Sequence, residues 1–157
     1  SPSPLTSSSS FPSSNSLVLS WDSYGSIYFG STLAEAEQLL GPRLQSTTPL
    51  DPSCWYAAFQ SLPGVRFMVE NGVITRAEAE PGVPTSVGVR VGAALLDIKV
   101  AHPAARTKPH KYDPEGHYVV FPSPDGKKAI VMEESRGSVL RIRAGLKPSV
   151  EYVEGCL

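Results

Sequence analysis

The sequence predicts an α+β fold in which two β-α-β-β-β units are fused into an antiparallel sheet with short helices. Three observations predict it. A hairpin dipeptide, Asn71-Gly72 or Asp125-Gly126, separates alternating apolar runs in each half. A helical pattern led by a glycine, Gly30 and then Gly92, precedes each group of strands. Fifteen prolines and thirteen glycines in 157 residues favour many short elements over a helical bundle. With 41% apolar and 18% charged residues, the chain has the composition of a globular domain with one buried core.

Residues 1–20 read as a disordered Ser/Pro-rich tether, since Leu5 and Phe11 are the only apolar residues before Leu17. The start at Ser1 is read as the processed end of a longer chain, and a tether of this composition is expected either to space a domain from a membrane anchor or to be a plain disordered terminus. The first unit spans residues 21–82. Residues 25–29 alternate as a strand, and Thr32 with Glu35 forms a capping box. Leu33, Ala36 and Leu40 supply a helical stripe that Gly41-Pro42 ends. Strands follow at residues 54–60, 65–71 and 73–79.

The second unit spans residues 83–157 and repeats that order. Residues 87–91 alternate, Leu95, Ile98 and Ala101 form a stripe, and Pro103 closes it. Moved on by 62 positions, Ile27, Gly30, Leu33 and Ala36 fall on Val89, Gly92, Leu95 and Ile98. Strands are predicted at 117–121, 128–132 and 138–144, with a final edge strand at 149–153. Ala93-Ala94 replaces Ser31-Thr32, so the second helix has no side-chain cap.

Strand, Gly30-Ser31-Thr32, capped helix, Gly41-Pro42 and a strand pair with a glycine turn resemble the small lipoproteins of outer-membrane β-barrel assembly. They also resemble the tandem-repeat β-lactamase inhibitor proteins. That resemblance covers residues 24–144. It implies helices on one sheet face and a free face that binds a protein partner. The segments Pro109-His110-Lys111-Tyr112 and Tyr152-Val153-Glu154-Gly155-Cys156 are similar to uncharacterised exported lipoproteins of proteobacteria, which implies export without naming an activity.

Several function classes lose ground on chemistry. A net charge of −1 gives no electrostatic footprint for nucleic acid. The spacing of His102, His110 and His117 matches no common zinc pattern. There is no Gly-x-Ser-x-Gly elbow and no phosphate-cradling glycine loop, so no cofactor is expected and an uncharacterised hydrolase is the weakest alternative. The carboxylate pairs Glu78/Glu80 and Glu133/Glu134 read as charged, exposed strand faces. His102, beside Pro103, reads as a helix-end residue that meets the dipole. Cys54 and Cys156 allow one disulfide, which would pin the C-terminus to the first half and suits an oxidising compartment.

The expected activity is therefore binding rather than catalysis. The expected partner is an envelope or extracellular protein met by an inhibitor or assembly factor, and the protein is placed in the periplasm, outside the cell, or on the outer membrane through a processed N-terminal anchor. A carbohydrate or peptidoglycan module is the alternative, with Trp55 or Tyr112 stacking on sugars. Candidate partner-binding residues are His110, Lys111, Tyr112 and His117 in and beside a polar loop, with Trp55, Arg76, Arg90 and Arg141 as an aromatic and guanidinium set. Core packing is the competing reading for the aromatics.

Overall fold

In a computed structural model of the chain, residues 17–42, 51 and 53–156 are described. Most of the predicted tether, residues 1–16, lies outside the described residues. Residues 17–20 belong to the fold, because Leu19 is fully buried and bridges Tyr24 and Thr85 through its backbone.

Among the described residues, a seven-stranded antiparallel sheet, a two-stranded sheet and two short helices make an α+β fold. The small sheet pairs β1 (Ser23–Tyr24) with β2 (Ile27–Tyr28). A single strand was predicted at 25–29. Gly25, at φ 62°, instead folds the chain back on itself and leaves only a hairpin arm. Helix α1 (Leu33–Leu40) starts on the predicted capping box, with Glu35 N donating to Thr32 Oγ1 at 3.1 Å and Thr32 N donating to Glu35 Oε1 at 2.9 Å. Helix α2 (Leu95–Ala101) has no side-chain cap at Ala94. Thr32→Ala is expected to cost about 1 kcal/mol, and Ala94→Ser, which finds an extended N-cap backbone and Asp97 at the third helical position, to gain roughly 0.5–1 kcal/mol. Denaturant midpoints of the two variants check both signs.

The large sheet runs β3 (Cys54–Ala57), β4 (Val65–Glu70), β5 (Val73–Ala79), β9 (Ser138–Leu146), β8 (Lys128–Ser135), β7 (Gly116–Pro122) and β6 (Arg106–Pro109) from edge to edge. Both tight hairpins, at Asn71-Gly72 and Arg136-Gly137, use two successive positive-φ residues. Each is followed by the same irregularity. Met68 and Val69 pair with Arg76 and Ile74, which leaves Thr75 unmatched, and Glu133 and Glu134 pair with Arg141 and Val139, which leaves Leu140 unmatched. These bulges shift the side-chain alternation by one and account for the irregular pattern at Val73-Ile74.

Two further expectations are corrected. Residues 87–91 form no strand: the Thr85 hydroxyl donates to Val89 O at 2.6 Å and accepts from Val89 N at 3.1 Å, and Gly88 takes φ 79°, closing a turn. The C-terminal segment holds a 3₁₀ turn, Ser149–Glu151, in place of an edge strand. Its backbone carbonyls are taken by arginine side chains rather than by a neighbouring strand.

Recurrent contacts tie each helix start to a hairpin. Gly30 N donates to Ile74 O and Leu33 N to Gly72 O, and Gly92 N donates to Val139 O and Leu95 N to Gly137 O, all at 2.8 Å. One sheet face thus receives Ala36 of α1 and Ile98 of α2 into a core with Phe67, Val69, Ile130 and Ile142. The opposite face has a small apolar cluster, Val120, Ala129 and Val131, closed by Val150 of the C-terminal segment.

Candidate functional site

On the face away from the helices, strand alternation and register place charged side chains in rows. One row runs Arg66, Glu78, Arg143 and Val131 across β4, β5, β9 and β8, and another runs Tyr118, Glu133 and Arg141 across β7, β8 and β9. The C-terminal segment crosses these rows. Arg76, only 2% exposed, donates from Nη1 to Ser149 O at 3.0 Å and to Tyr152 O at 2.8 Å, and pairs with Glu78. Arg143 Nε donates to Val150 O at 2.6 Å, and its Nη1 pairs with Glu133. Two buried guanidiniums thereby satisfy carbonyls that no strand reaches.

The segment is tied at its far end by the Cys54–Cys156 disulfide expected from the cysteine count. Cys156 N donates to Tyr56 Oη at 3.3 Å, and Lys111 Nζ pairs with Glu154 at 2.9 Å. The described residues contain no helix long and apolar enough to cross a membrane. That and the disulfide are compatible with a periplasmic or extracellular setting.

His110 anchors the other side of the face. Its Nδ1 accepts from the backbone N–H groups of Tyr112 at 3.0 Å and Asp113 at 3.2 Å, so the ring proton sits on Nε2 and is donated to Glu133 Oε1 at 3.0 Å. The ring stacks on Tyr118 with centroids 4.6 Å apart. Burial pushes the Glu133 carboxyl up, but hydrogen bonds from His110 and Arg143 and the Arg143 charge outweigh it and hold the group below the usual carboxylate range. Glu78 follows the same balance: burial raises it, and Arg66 and Arg76 together bring it below its ordinary value.

A carboxyl with a depressed native pKa lends stability that is complete above its unfolded value, about 4.3 for Glu, and is lost as pH falls through the native value. Thermal stability is therefore expected to hold from neutral pH down to about 5 and to fall below about 4. In the Glu78→Gln variant that acid-side fall should be shallower. A melting series against pH in both proteins checks this.

The predicted site residues separate. Arg76 and Arg141 lie on the charged face, Arg76 buried and Arg141 with its side chain 77% exposed and 3.9 Å from Glu133. Lys111 and Tyr112 stand exposed at its border, Lys111 Nζ 5.1 Å over the Tyr112 ring. Trp55 packs against the main core. His117 sits beside Glu134, with Nδ1 at 2.7 Å from Oε1, while Glu134 Oε2 accepts from Gly137 N at 2.6 Å, a hairpin brace on the core side. Arg90 is exposed in the turn before α2, outside this face. His102 caps the end of α2 and bonds Val87 O through Nε2 at 2.8 Å.

Sequence reasoning missed Arg143 and Arg66 and read Glu133 as a solvated strand charge. Glu133 and Glu134 were expected on exposed faces. They diverge to opposite faces as expected, but both are buried, because Arg143 and His110 compensate one and Gly137 N–H with His117 the other. The Arg141-x-Arg143 alternation on a strand was the available signal.

Between the C-terminal segment and the sheet lies a pocket of about 620 Å³, lined among others by Tyr56, Arg66, Glu78, Leu140, Arg141 and Gly155. Comparison with protein-family models, curated proteins and solved structures finds no match. The pocket's own chemistry is then the guide. Its carboxylates Glu78 and Glu133 are already held as ions by guanidiniums, and both nitrogens of the neighbouring His110 are engaged. Four arginines and four glutamates balance in its walls, and what they offer a ligand is the unspent hydrogen-bond donors of Arg66 and Arg141.

Proposed function

We propose that the chain is an exported, non-enzymatic binding protein that engages another protein of the cell envelope, as an inhibitor or an assembly factor. The surface it uses is the charged sheet face with the exposed part of the 110–117 loop. The observation that carries this reading is the contrast between the two sheet faces. One is filled by the helices and the core. The other presents Tyr112 at 61% exposure and Leu140 at 56% beside Arg141, on a base fixed by buried ion pairs and a disulfide. Exposed aromatic and arginine side chains on a rigid base carry most of the energy of protein interfaces, and prior rigidity lowers the ordering cost of binding.

Two fused copies of one unit, of the tandem-repeat inhibitor and assembly-lipoprotein type, belong to the same proposal. It is supported by the matching helix-start bonds at Gly30 and Gly92, the matching bulges at Thr75 and Leu140, and the matching rows Tyr56–Met68–Arg76 and Tyr118–Glu133–Arg141. A periplasmic or secreted location completes it, supported by the disulfide. A sugar-stacking module is less well supported, since Trp55 packs against the core and Tyr112 is left without a second ring from that pair.

Capture from envelope extract tests the reading. Wild type and a Leu96→Ser/Val100→Ser variant on the exposed side of α2 are expected to recover the same partner, and a Tyr112→Ala/Arg141→Gln variant to lose it. Equal recovery by all three would remove the face from consideration.

A further inference from the structure

We propose that the pocket beside the C-terminal segment is a carboxylate-binding site that receives an acidic side chain, Asp or Glu, of the protein partner. The inference rests on the protein-binding reading of this face and names the chemistry by which the partner is recognised. Four guanidiniums, Arg66, Arg76, Arg141 and Arg143, line one pocket with Glu78, Glu80, Glu133 and Glu154. The acceptors are largely spent. Glu78 is shared by Arg66 and Arg76, Glu133 by Arg143 and His110, and Glu154 is taken by Lys111. Glu80 stands exposed at the rim and opposes an incoming anion only in part.

Donors remain in surplus. Arg66 spends Nε and Nη2 on one Glu78 oxygen and stacks its guanidinium 4.0 Å over the Tyr56 ring, which fixes its plane toward the pocket. Arg141 is the least engaged of the four, with its 3.9 Å approach to Glu133 too long for a hydrogen bond. Arg76 and Arg143 beneath them are committed to Glu78, Glu133 and the tail carbonyls, which leaves Arg66 and Arg141 as the groups that meet the ligand. A planar carboxylate matches the paired donors of an exposed guanidinium, and Leu140 and Tyr56 supply apolar contact for the methylene stem of the side chain. The volume of about 620 Å³ accommodates a side chain with its flanking peptide.

Titration of the full chain with N-acetyl-aspartate amide, followed by amide and arginine-side-chain NMR shifts, tests the site without the partner. Saturable shifts are expected at Tyr56, Leu140, Arg141 and Gly155, with none from N-acetyl-asparagine amide. Arg141→Gln is expected to weaken the affinity at least about tenfold, and Arg90→Gln to leave it unchanged. Absence of saturable shifts, or an unchanged affinity in Arg141→Gln, overturns the site. Tighter binding of inorganic phosphate than of the aspartate probe overturns the choice of a protein carboxylate. Loss of partner capture in Arg141→Gln without any binding of the small probe would leave the protein-binding reading standing and remove this one.

Discussion

Replacing Glu133 with alanine is expected to destabilise the protein by about 3–5 kcal/mol, the cost of leaving a buried ionic partner uncompensated. Glu133 is 5% exposed and holds two groups at once, Arg143 through one oxygen and His110 through the other. Without it, the Arg143 guanidinium stays buried near that of Arg76, whose charge already disfavours it. The loop at 110–113 also loses the acceptor that positions its imidazole. Denaturant unfolding should show a lower midpoint with an unchanged slope. A Glu133→Met/Arg143→Met double variant should recover much of the loss, because an apolar pair of similar volume carries no desolvation penalty. If the single variant costs less than about 1 kcal/mol, the network is not holding the face together.

The second large effect is expected on removing the disulfide. Cys54 and Cys156 are 102 residues apart in sequence, and closing a loop of that size stabilises the native state by roughly 4–5 kcal/mol in the chain-entropy model, with measured losses of about 2–5 kcal/mol for native bridges. The Cys54→Ala/Cys156→Ala protein should fall in that range. The loss should also be local. Amides at 153–156 are expected to exchange freely, whereas Val150, fully buried and held through its carbonyl by Arg143, should keep its protection. Uniform loss of protection across Val150 would show that the bridge, and not the arginines, holds the segment on the sheet.

Much of the fold was legible because its signals are local. The capping box at Thr32 and Glu35 and the turns at Asn71-Gly72 and Asp125-Gly126 each fit within four residues. Elements set by long-range contacts were not legible. Strand β6 is exposed along its whole length, so Arg106-Thr107-Lys108-Pro109 has no apolar alternation to betray it. Residues 87–91 alternate as a strand should, yet Thr85 and Gly88 close them into a turn.

The site was legible only in its exposed parts. Tyr112, Lys111 and Arg141 carry the mixed aromatic and cationic character of a recognition surface, which sequence alone displays. Glu133 reads in sequence as an ordinary solvated strand charge, and Arg143 carries no signal of its own. Their burial depends on a tail that returns over the sheet, and that return has no local signature.

The central claim is that the charged, tail-crossed face is the working surface. A photo-crosslinking residue placed singly at positions 112, 141 and 96 in the full chain, irradiated in envelope extract, tests it most directly. Adducts of one defined mass are expected from positions 112 and 141 and none from 96, which sits on the exposed side of α2. Adducts from 96 alone would contradict the account and move the binding surface to the helices.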